Sequence, residues 1–431
     1  FPTKSLRYRQ PTREQSMVRA SHSIVTKIFT AGIRKTATPD SGFIYFLRGH
    51  QMKKIKTAIV GTGFMGKVHA ENVRRLGNVE IAAVVGSRPE TARKFAEAMS
   101  IPLATDNLQE ILDNKEIDAV HICTPNVDHF WMSLAAIQAG KAVLCEKPMT
   151  MTVEEARQLV AAAAEMGAVN GVQHNLRYYP NVQQMRQMIK AGDLGEILVV
   201  QGTYSQDWLL YDTDWNWRLD AKSNGKLRVM GDIGSHWMDM LQHLTGQSIT
   251  AVCADLTIFH KHRKRPKGSV ETFSGKKLTP SEYESFPIET EDFGMVLLHL
   301  GERTRGAFTV NQMAAGCKNY FAFQIFGSKA SVAWNQEQPD TLWIGHRNEP
   351  NQIIIKDASL FYPAAAAFAD LPGGHSEGYD DSHKQVFKHF YARVADPTAP
   401  IDYPTFEDGL HGMILLEKVA ESAEKHAWVE V

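Results

Sequence analysis

Two α/β units in series are what this 431-residue chain predicts: a doubly wound parallel sheet with helices on both faces, then a larger, mostly antiparallel open sheet. Three observations carry that reading. A Gly61-x-Gly63-x-x-Gly66 triplet lies between a β-like apolar run and a helix-like stretch. Short apolar runs then alternate with helical periods up to about residue 175. Beyond that point the β-like stretches lengthen and the helices thin out, the pattern of a second sheet with its own layer of helices.

Taken in order, residues 56–60 read as the first strand, with a helix over 65–76. Gly61 permits the tight turn between them, Gly63 lets a pyrophosphate approach the backbone, and Gly66 lets the helix pack closely on the strand. Phe64 and Met65 complete this turn, and the free N–H groups of the helix start attract phosphate. Further strands are expected at 80–85, 119–123, 142–145 and 168–172, with helices at 89–98, 108–112, 129–139 and 153–166. Their nearly continuous apolar character is that of a parallel sheet covered on both faces. Residues 52–175 therefore read as a Rossmann dinucleotide-binding domain, whose ligands sit beyond the carboxyl ends of the strands.

Residues 176–431 read as a second α/β domain for substrate binding and oligomerisation. It holds a helix at 181–191, strands at 197–204, 250–259, 293–300, 306–312, 322–326 and 331–334, and a helix after Gly231 to Gly234. Helices at 382–394 and 405–425 close the chain and are expected to pack back near the first domain. The run His260-Lys261-His262-Arg263-Lys264-Arg265-Pro266-Lys267 reads as a solvated loop, with anion binding as the alternative, inside a long excursion over 260–290.

Composition narrows the function. Apolar residues make up 43% of the chain and charged residues 22%, with a net charge of -1. These values fit a soluble globular protein and point to neither a nucleic-acid nor a membrane partner. Cys123, Cys145, Cys253 and Cys317 are widely spaced and read as reduced thiols, which suits the cytoplasm. Residues 1–51 stand apart: nine basic residues against Glu14 and Asp40 give +7 and leave -8 on the remainder. They read as upstream sequence or a disordered arm, with a transit peptide as the alternative.

The chemistry is expected at the strand ends. In Glu146-Lys147-Pro148, directly after the strand at 142–145, Lys147 lies near where a nicotinamide would bind. A lysine there can hydrogen-bond a substrate hydroxyl and stabilise the alkoxide as hydride leaves its carbon. Asp232 and His236 are four apart and share a face if the helix has begun by Asp232. Histidine suits taking the hydroxyl proton, and Asp232 orients it or touches a neighbouring hydroxyl. Asp239 and His243 extend that face, so a metal site stands as an alternative to the metal-free reading, as does a purely structural histidine. Trp208, in Tyr204-Ser205-Gln206-Asp207-Trp208, and Trp217 with Arg218, in Asp214-Trp215-Asn216-Trp217-Arg218, suit sugar rings and ordinary aromatic packing equally. Gly373-Gly374-His375-Ser376-Glu377-Gly378-Tyr379 reads as a polar loop over the site, with His375 toward the substrate.

Together these ordered motifs resemble the Gfo/Idh/MocA family of oxidoreductases: Gly61-x-Gly63-x-x-Gly66-x-x-His69, Cys123-Thr124-Pro125-Asn126-x-x-His129, Glu146-Lys147-Pro148 and Asp232-x-Gly234-x-His236-x-x-Asp239. The resemblance runs from about residue 53 to the C-terminus. It implies Lys147, Asp232 and His236 as the catalytic residues, and Thr124, Pro125, Asn126 and His129 in a loop that meets the cofactor. It also implies Glu146 beside the nicotinamide and Asn175 and Arg177 at the substrate. The implied reaction is oxidation of a ring hydroxyl on a sugar, glycoside or cyclitol, with C3 as a candidate position. The open sheet implies a homodimer or homotetramer.

For the cofactor, the second strand ends in Ser87-Arg88 and lacks the Asp or Glu that binds the ribose 2′-hydroxyl of NAD about 20 residues past the glycines. That leans toward NADP or dual use, unless Arg88 stacks on adenine in an NAD enzyme. Two rival readings remain: a glycoside hydrolase that works by transient oxidation and elimination, and a non-enzymatic redox sensor.

Overall fold

The computed structural model describes residues 54–268 and 279–431, so the basic leader and part of the 260–290 excursion lie outside the described residues. Six parallel strands form the first sheet: β1 (Ile55–Val60), β2 (Val79–Val85), β3 (Leu103–Thr105), β4 (Ala119–Ile122), β5 (Ala142–Cys145) and β6 (Asn170–Val172). Their order is β3-β2-β1-β4-β5-β6. The connections are α1 (Phe64–Arg74), α2 (Pro89–Ala98), α3 (Leu108–Asp113), α4 (Asn126–Gln138) and α5 (Val153–Met166). β4 and β5 are buried at every residue, as two covered faces require. Among these six strands only β3 escaped the sequence reading, because three residues are too few to show a period. α5 starts at a capping box, where Thr152 and Glu155 satisfy each other's backbone N–H groups.

The second sheet has nine strands. After α6 (Pro180–Ala191) come β7 (Ile197–Ser205), the short α7 (Ala221–Asn224), α8 (Ser235–Thr245) and β8 (Ile249–Thr257). A separate hairpin, β9 (His262–Pro266) and β10 (Tyr283–Pro287), is followed by β11 (Phe293–Leu300), β12 (Thr304–Asn311), β13 (Tyr320–Gly327) and β14 (Ser331–Asn335). The chain closes with β15 (Thr341–Gly345), β16 (Gln352–Ile355), α9 (Pro363–Ala366), α10 (Tyr379–Ala395), α11 (Phe406–Lys425) and β17 (Val429–Glu430). The order is β16-β15-β14-β13-β7-β12-β11-β8-β17. Every pairing is antiparallel except β7 with β12.

One face of this sheet carries α8, α6 and α11; α10 packs on α1, and α11 also packs on α5. The indole of Trp237, on α8, lies stacked between Phe308 and Phe323, with ring centroids 4.4 and 4.5 Å apart. The opposite face is open: Val296 and Leu298 are buried while the alternating Met295 and Leu297 are about half exposed.

The basic run at 260–267 is not a solvated loop. Arg263 is buried and donates to the carbonyls of Leu209 and Tyr211 and to Asp292, which folds the β9–β10 hairpin against the 208–219 segment. Among the described residues no helix is long and apolar enough to cross a membrane. The four cysteines are unpaired.

Trp237 clamps the helix that carries the candidate site to the sheet beneath it. Trp237→Ala is expected to lower unfolding free energy by about 3–5 kcal/mol, measured by urea denaturation. A loss under about 1 kcal/mol would show that the stack does not anchor α8.

Candidate active site

The carboxyl ends of β1, β2, β4 and β5 open into a cleft of about 700 Å³. Gly61 has φ +115°, and a Cβ there would lie 2.5 Å from the Cys123 carbonyl oxygen. A Cβ on Gly66 would run into the carbonyl oxygen of Gly61, whereas Gly63 faces open space at the start of α1. The two outer glycines therefore serve close packing, and the middle one leaves room for a ligand. Phe64 and Met65 follow it along the cleft, and Ser87 enters from the end of β2. Thr124 and Pro125 come from the β4–α4 turn, Asn126 and His129 from the start of α4, and Glu146 and Lys147 from the end of β5.

Arg88 is not part of this lining; it is exposed and sits at the N-cap of α2. Asp106 does line the cleft, and it stayed hidden in the sequence because β3 did. The imidazole of His129 bridges the Pro148 and Thr124 carbonyls at 2.8 and 3.0 Å, tying the two cofactor-side turns together.

A second cavity of about 380 Å³ adjoins the cleft. Phe64, Met65, Glu146, Lys147 and Arg218 line both, so they mark the junction. Lys147 Nζ donates to the Asp232 carbonyl at 2.7 Å and to Oδ1 at 3.0 Å. Asp232 also accepts from Arg218 Nε at 3.2 Å and, on Oδ2, from Gln312 Nε2 at 2.8 Å. Burial pushes the Asp232 carboxyl up, but Lys147 and Arg218 outweigh it and hold the group well below the usual carboxylate range. His236 lines the same cavity and is buried; burial first, then Lys147, pushes its pKa well down, so the ring is neutral. Its Nδ1 has no hydrogen-bond partner, and its ring packs edge-on against His174 at 5.5 Å.

The backbone that presents Asp232 and His236 differs from a plain helix start. Residues Met230–Gly234 form one π-helical turn before α8 begins, a feature that recurs at functional sites. Glu291 accepts the backbone N–H groups of Arg228 and Met230 at 3.0 and 2.9 Å, supplying partners that the turn itself lacks. Asp292, fully buried, is ion-paired to Arg228 and to Arg263. The half-basic hairpin thus braces the turn that bears Asp232.

Three residues expected at the substrate lie elsewhere. The Arg177 guanidinium is held by Asp239 and Asp408 and does not line the cavity, because two carboxylates within reach outcompete an open cavity for a buried cation. His375 is exposed, because the loop is drawn down two residues later by the buried Lys356–Glu377 pair at 2.7 Å. Trp217 lines the dinucleotide cleft, with the Arg218 guanidinium 4.5 Å above its ring. Trp208 and Asn175 do line the second cavity.

Sequence reasoning missed His383, Asn319 and Gln312, and placed Tyr379 only as the end of the 373–379 loop. Tyr379 and His383 are four apart on α10 and both line the cavity, a spacing that was readable. Gln312 follows directly after β12 and touches Asp232, from a strand end of the second sheet. His383 Nδ1 contacts Gln173 at 2.6 Å, its Nε2 has no partner, and burial pushes its pKa down to about 3. The metal alternative finds no support: Asp239 is taken by Arg177, His243 contacts Gln183, and no three His, Cys, Asp or Glu side chains converge among the described residues.

Against known proteins, the oxidoreductase-family profile for an NAD-binding Rossmann fold matches residues 55–174, and the GFO/IDH/MocA C-terminal domain profile matches 182–333. The chain belongs to the Gfo/Idh/MocA family of oxidoreductases. Within it, levoglucosan dehydrogenase of Pseudarthrobacter phenanthrenivorans is 27% identical over 394 residues, covering 88% of this chain and 99% of the relative. A solved levoglucosan dehydrogenase in complex with NADH and L-sorbose superposes with a TM-score of 0.79 at 26% identity, covering 88% of this chain and 99% of that one. D-glucoside 3-dehydrogenase of Escherichia coli is 36% identical over 193 residues, 44% of this chain and 54% of the relative.

Proposed function

We propose that this chain is an NAD(H)-dependent dehydrogenase that oxidises a ring hydroxyl of a sugar, glycoside or cyclitol, with C3 of a pyranose as the favoured position. The observation that carries the reading is the convergence of Lys147, Asp232 and His236 on a cavity that shares Glu146 and Lys147 with the dinucleotide cleft. Relatives named for levoglucosan and for C3 of glucosides support the substrate class. On this reading residues 52–175 bind the dinucleotide and 176–431 bind the substrate.

A bound nicotinamide supplies the hydride acceptor. The neutral His236 takes the hydroxyl proton. Lys147 has three N–H donors and places two on Asp232, leaving the third for the substrate oxygen as it becomes an alkoxide. Asp232 orients Lys147 rather than moving a proton, since it stays ionised. The solved relative with NADH, and the absence of Arg88 from the cleft lining, favour NAD over the NADP that the second strand suggested. The half-exposed Met295 and Leu297 on the open sheet face support a homo-oligomer in which a second copy covers that face.

Dissociation constants for NAD⁺ and NADP⁺ test the cofactor site. Gly63→Val is expected to abolish binding while leaving the fold, since its side chain would enter open cleft; Arg88→Ala is expected to leave NAD⁺ affinity unchanged. Strong NADP⁺ preference that collapses in Arg88→Ala would overturn the NAD assignment.

Turnover on a panel of monosaccharides, glycosides, levoglucosan and inositols tests the chemistry. Lys147→Met and His236→Ala should each lower kcat by about 100-fold or more, and their effects should be markedly non-additive. Reduced cofactor released in step with product separates a dehydrogenase from a hydrolase that recycles it. Near-normal turnover by His236→Ala would sink the proton-transfer role.

Light scattering tests the assembly. Met295→Lys with Leu297→Lys should reduce the particle to a smaller species; an unchanged mass would place the interface elsewhere.

A further inference from the structure

Behind the junction of cleft and cavity runs a buried line of polar side chains that the proposed reaction does not use. Glu146 Oε1 lies 2.9 Å from His69 Nε2, His69 Nδ1 lies 2.8 Å from His121 Nδ1, and His121 Nε2 lies 2.7 Å from the Tyr391 hydroxyl. His69 and His121 are fully buried, and Glu146 and Tyr391 are nearly so. Phe387 packs edge-on against both imidazoles, and Phe390 covers His121 from the same helix, so water does not replace these contacts.

Proton counting sets the direction of the line. A neutral imidazole has one N–H, and a carboxylate only accepts. Glu146 therefore requires the His69 proton on Nε2, which leaves His69 Nδ1 as an acceptor. The 2.8 Å contact then requires the proton of His121 on Nδ1, and His121 Nε2 must accept from the Tyr391 hydroxyl. With both rings neutral, any other placement of the two imidazole protons sets two N–H groups or two lone pairs against each other, or faces a lone pair to the carboxylate.

We infer that Tyr391, His121 and His69 form a one-way hydrogen-bond line that ends on Glu146, holds it as a carboxylate at the junction, and thereby biases the enzyme toward the oxidised cofactor. This rests on the reading that a nicotinamide occupies the junction, where Glu146 lines both spaces. A fixed anion beside the ring attracts the cationic oxidised form and not the neutral reduced one.

The other titratable groups around Glu146 fit this. Lys147 and His383 act on it from the turn after β5 and from α10, and Tyr379 faces it from the same α10. Cys123, Cys145 and His129 face it from β4, β5 and α4. Burial alone pushes the carboxyl up; the His69 hydrogen bond and the Lys147 ammonium bring it to about 2. Burial keeps His121 neutral.

Two measurements on the full chain test the proposal. Long-range ¹H–¹⁵N spectra of histidine-labelled protein, assigned with His121→Phe, read the tautomers directly. His69 is expected in the Nε2–H form and His121 in the Nδ1–H form, unchanged between pH 5 and 9. Both rings in one tautomer, or a doubly protonated His69, would overturn the line.

The ratio of NADH to NAD⁺ dissociation constants, followed over the same pH range, reads the consequence. It is expected to be flat in the wild type and lowered about tenfold or more at every pH in Glu146→Gln. In His69→Leu the carboxyl is freed to protonate, so the ratio should fall toward the Glu146→Gln value as pH falls. Tyr391→Phe, which removes a single oxygen, should shift it the same way by less and serves if His69→Leu does not fold. A ratio unchanged in Glu146→Gln would displace the nicotinamide from Glu146. A flat, wild-type ratio in His69→Leu and Tyr391→Phe, with Glu146→Gln lowered, would overturn the line alone.

Discussion

The contact between Lys147 and Asp232 is the constraint on which the site depends. Lys147 stands at the carboxyl end of β5 in the parallel sheet, and Asp232 on the turn before α8, which lies on the nine-stranded sheet. Neither sheet alone contains a reactive cavity. Their meeting brings an ammonium, a carboxylate and a neutral imidazole together next to a dinucleotide-sized cleft. Such a pair, nearly buried, holds only if its remaining valences are met. Arg218 and Gln312 meet them for Asp232, and behind these the Asp292 cluster and Glu291 hold the backbone that carries it.

Much of this was legible in the sequence, for reasons that differ by residue. The parallel sheet showed itself because β4 and β5 are apolar throughout and because Gly61 and Gly66 occupy positions where a Cβ collides with backbone. Lys147, Asp232 and His236 could be picked out because strand ends and helix starts are where such sheets present chemistry. What stayed hidden lacks a local signal. β3 is too short to show a period, and Asp106 went with it. Arg177 looked available because its partners Asp239 and Asp408 are 62 and 231 residues away in sequence. The basic run at 260–267 looked solvated because charge predicts exposure, yet Arg263 finds Asp292 and two carbonyls in the interior.

The interior polar groups follow one rule throughout the molecule: a buried charge persists where several donors or acceptors converge on it. Asp292 gathers two guanidinium groups and the backbone N–H groups of Phe259 and His260. Glu377 takes the fully buried Lys356 and the N–H of Asp370. Histidines follow the complementary rule. His121, His174, His236, His243 and His383 are all pushed down by burial and keep their places as neutral rings, which leaves each one nitrogen able to accept. The accepting nitrogens of His121, His243 and His383 are taken by Tyr391, Gln183 and Gln173. His174 Nδ1 and His236 Nδ1 have no hydrogen-bond partner among the described residues.

That balance also bears on what the cavity admits. Its cations each face a carboxylate: Lys147 and Arg218 share Asp232, and Lys318 at the exposed rim pairs with Asp207 at 2.6 Å. Two cations share the one Asp232 carboxylate, so the Lys147 N–H left over can meet a developing alkoxide without breaking the pair. A polyol needs donors and acceptors at fixed points around a ring, and the third N–H of Lys147, the His236 and His383 rings that line the cavity, and the Trp208 indole offer both polar contacts and an apolar face.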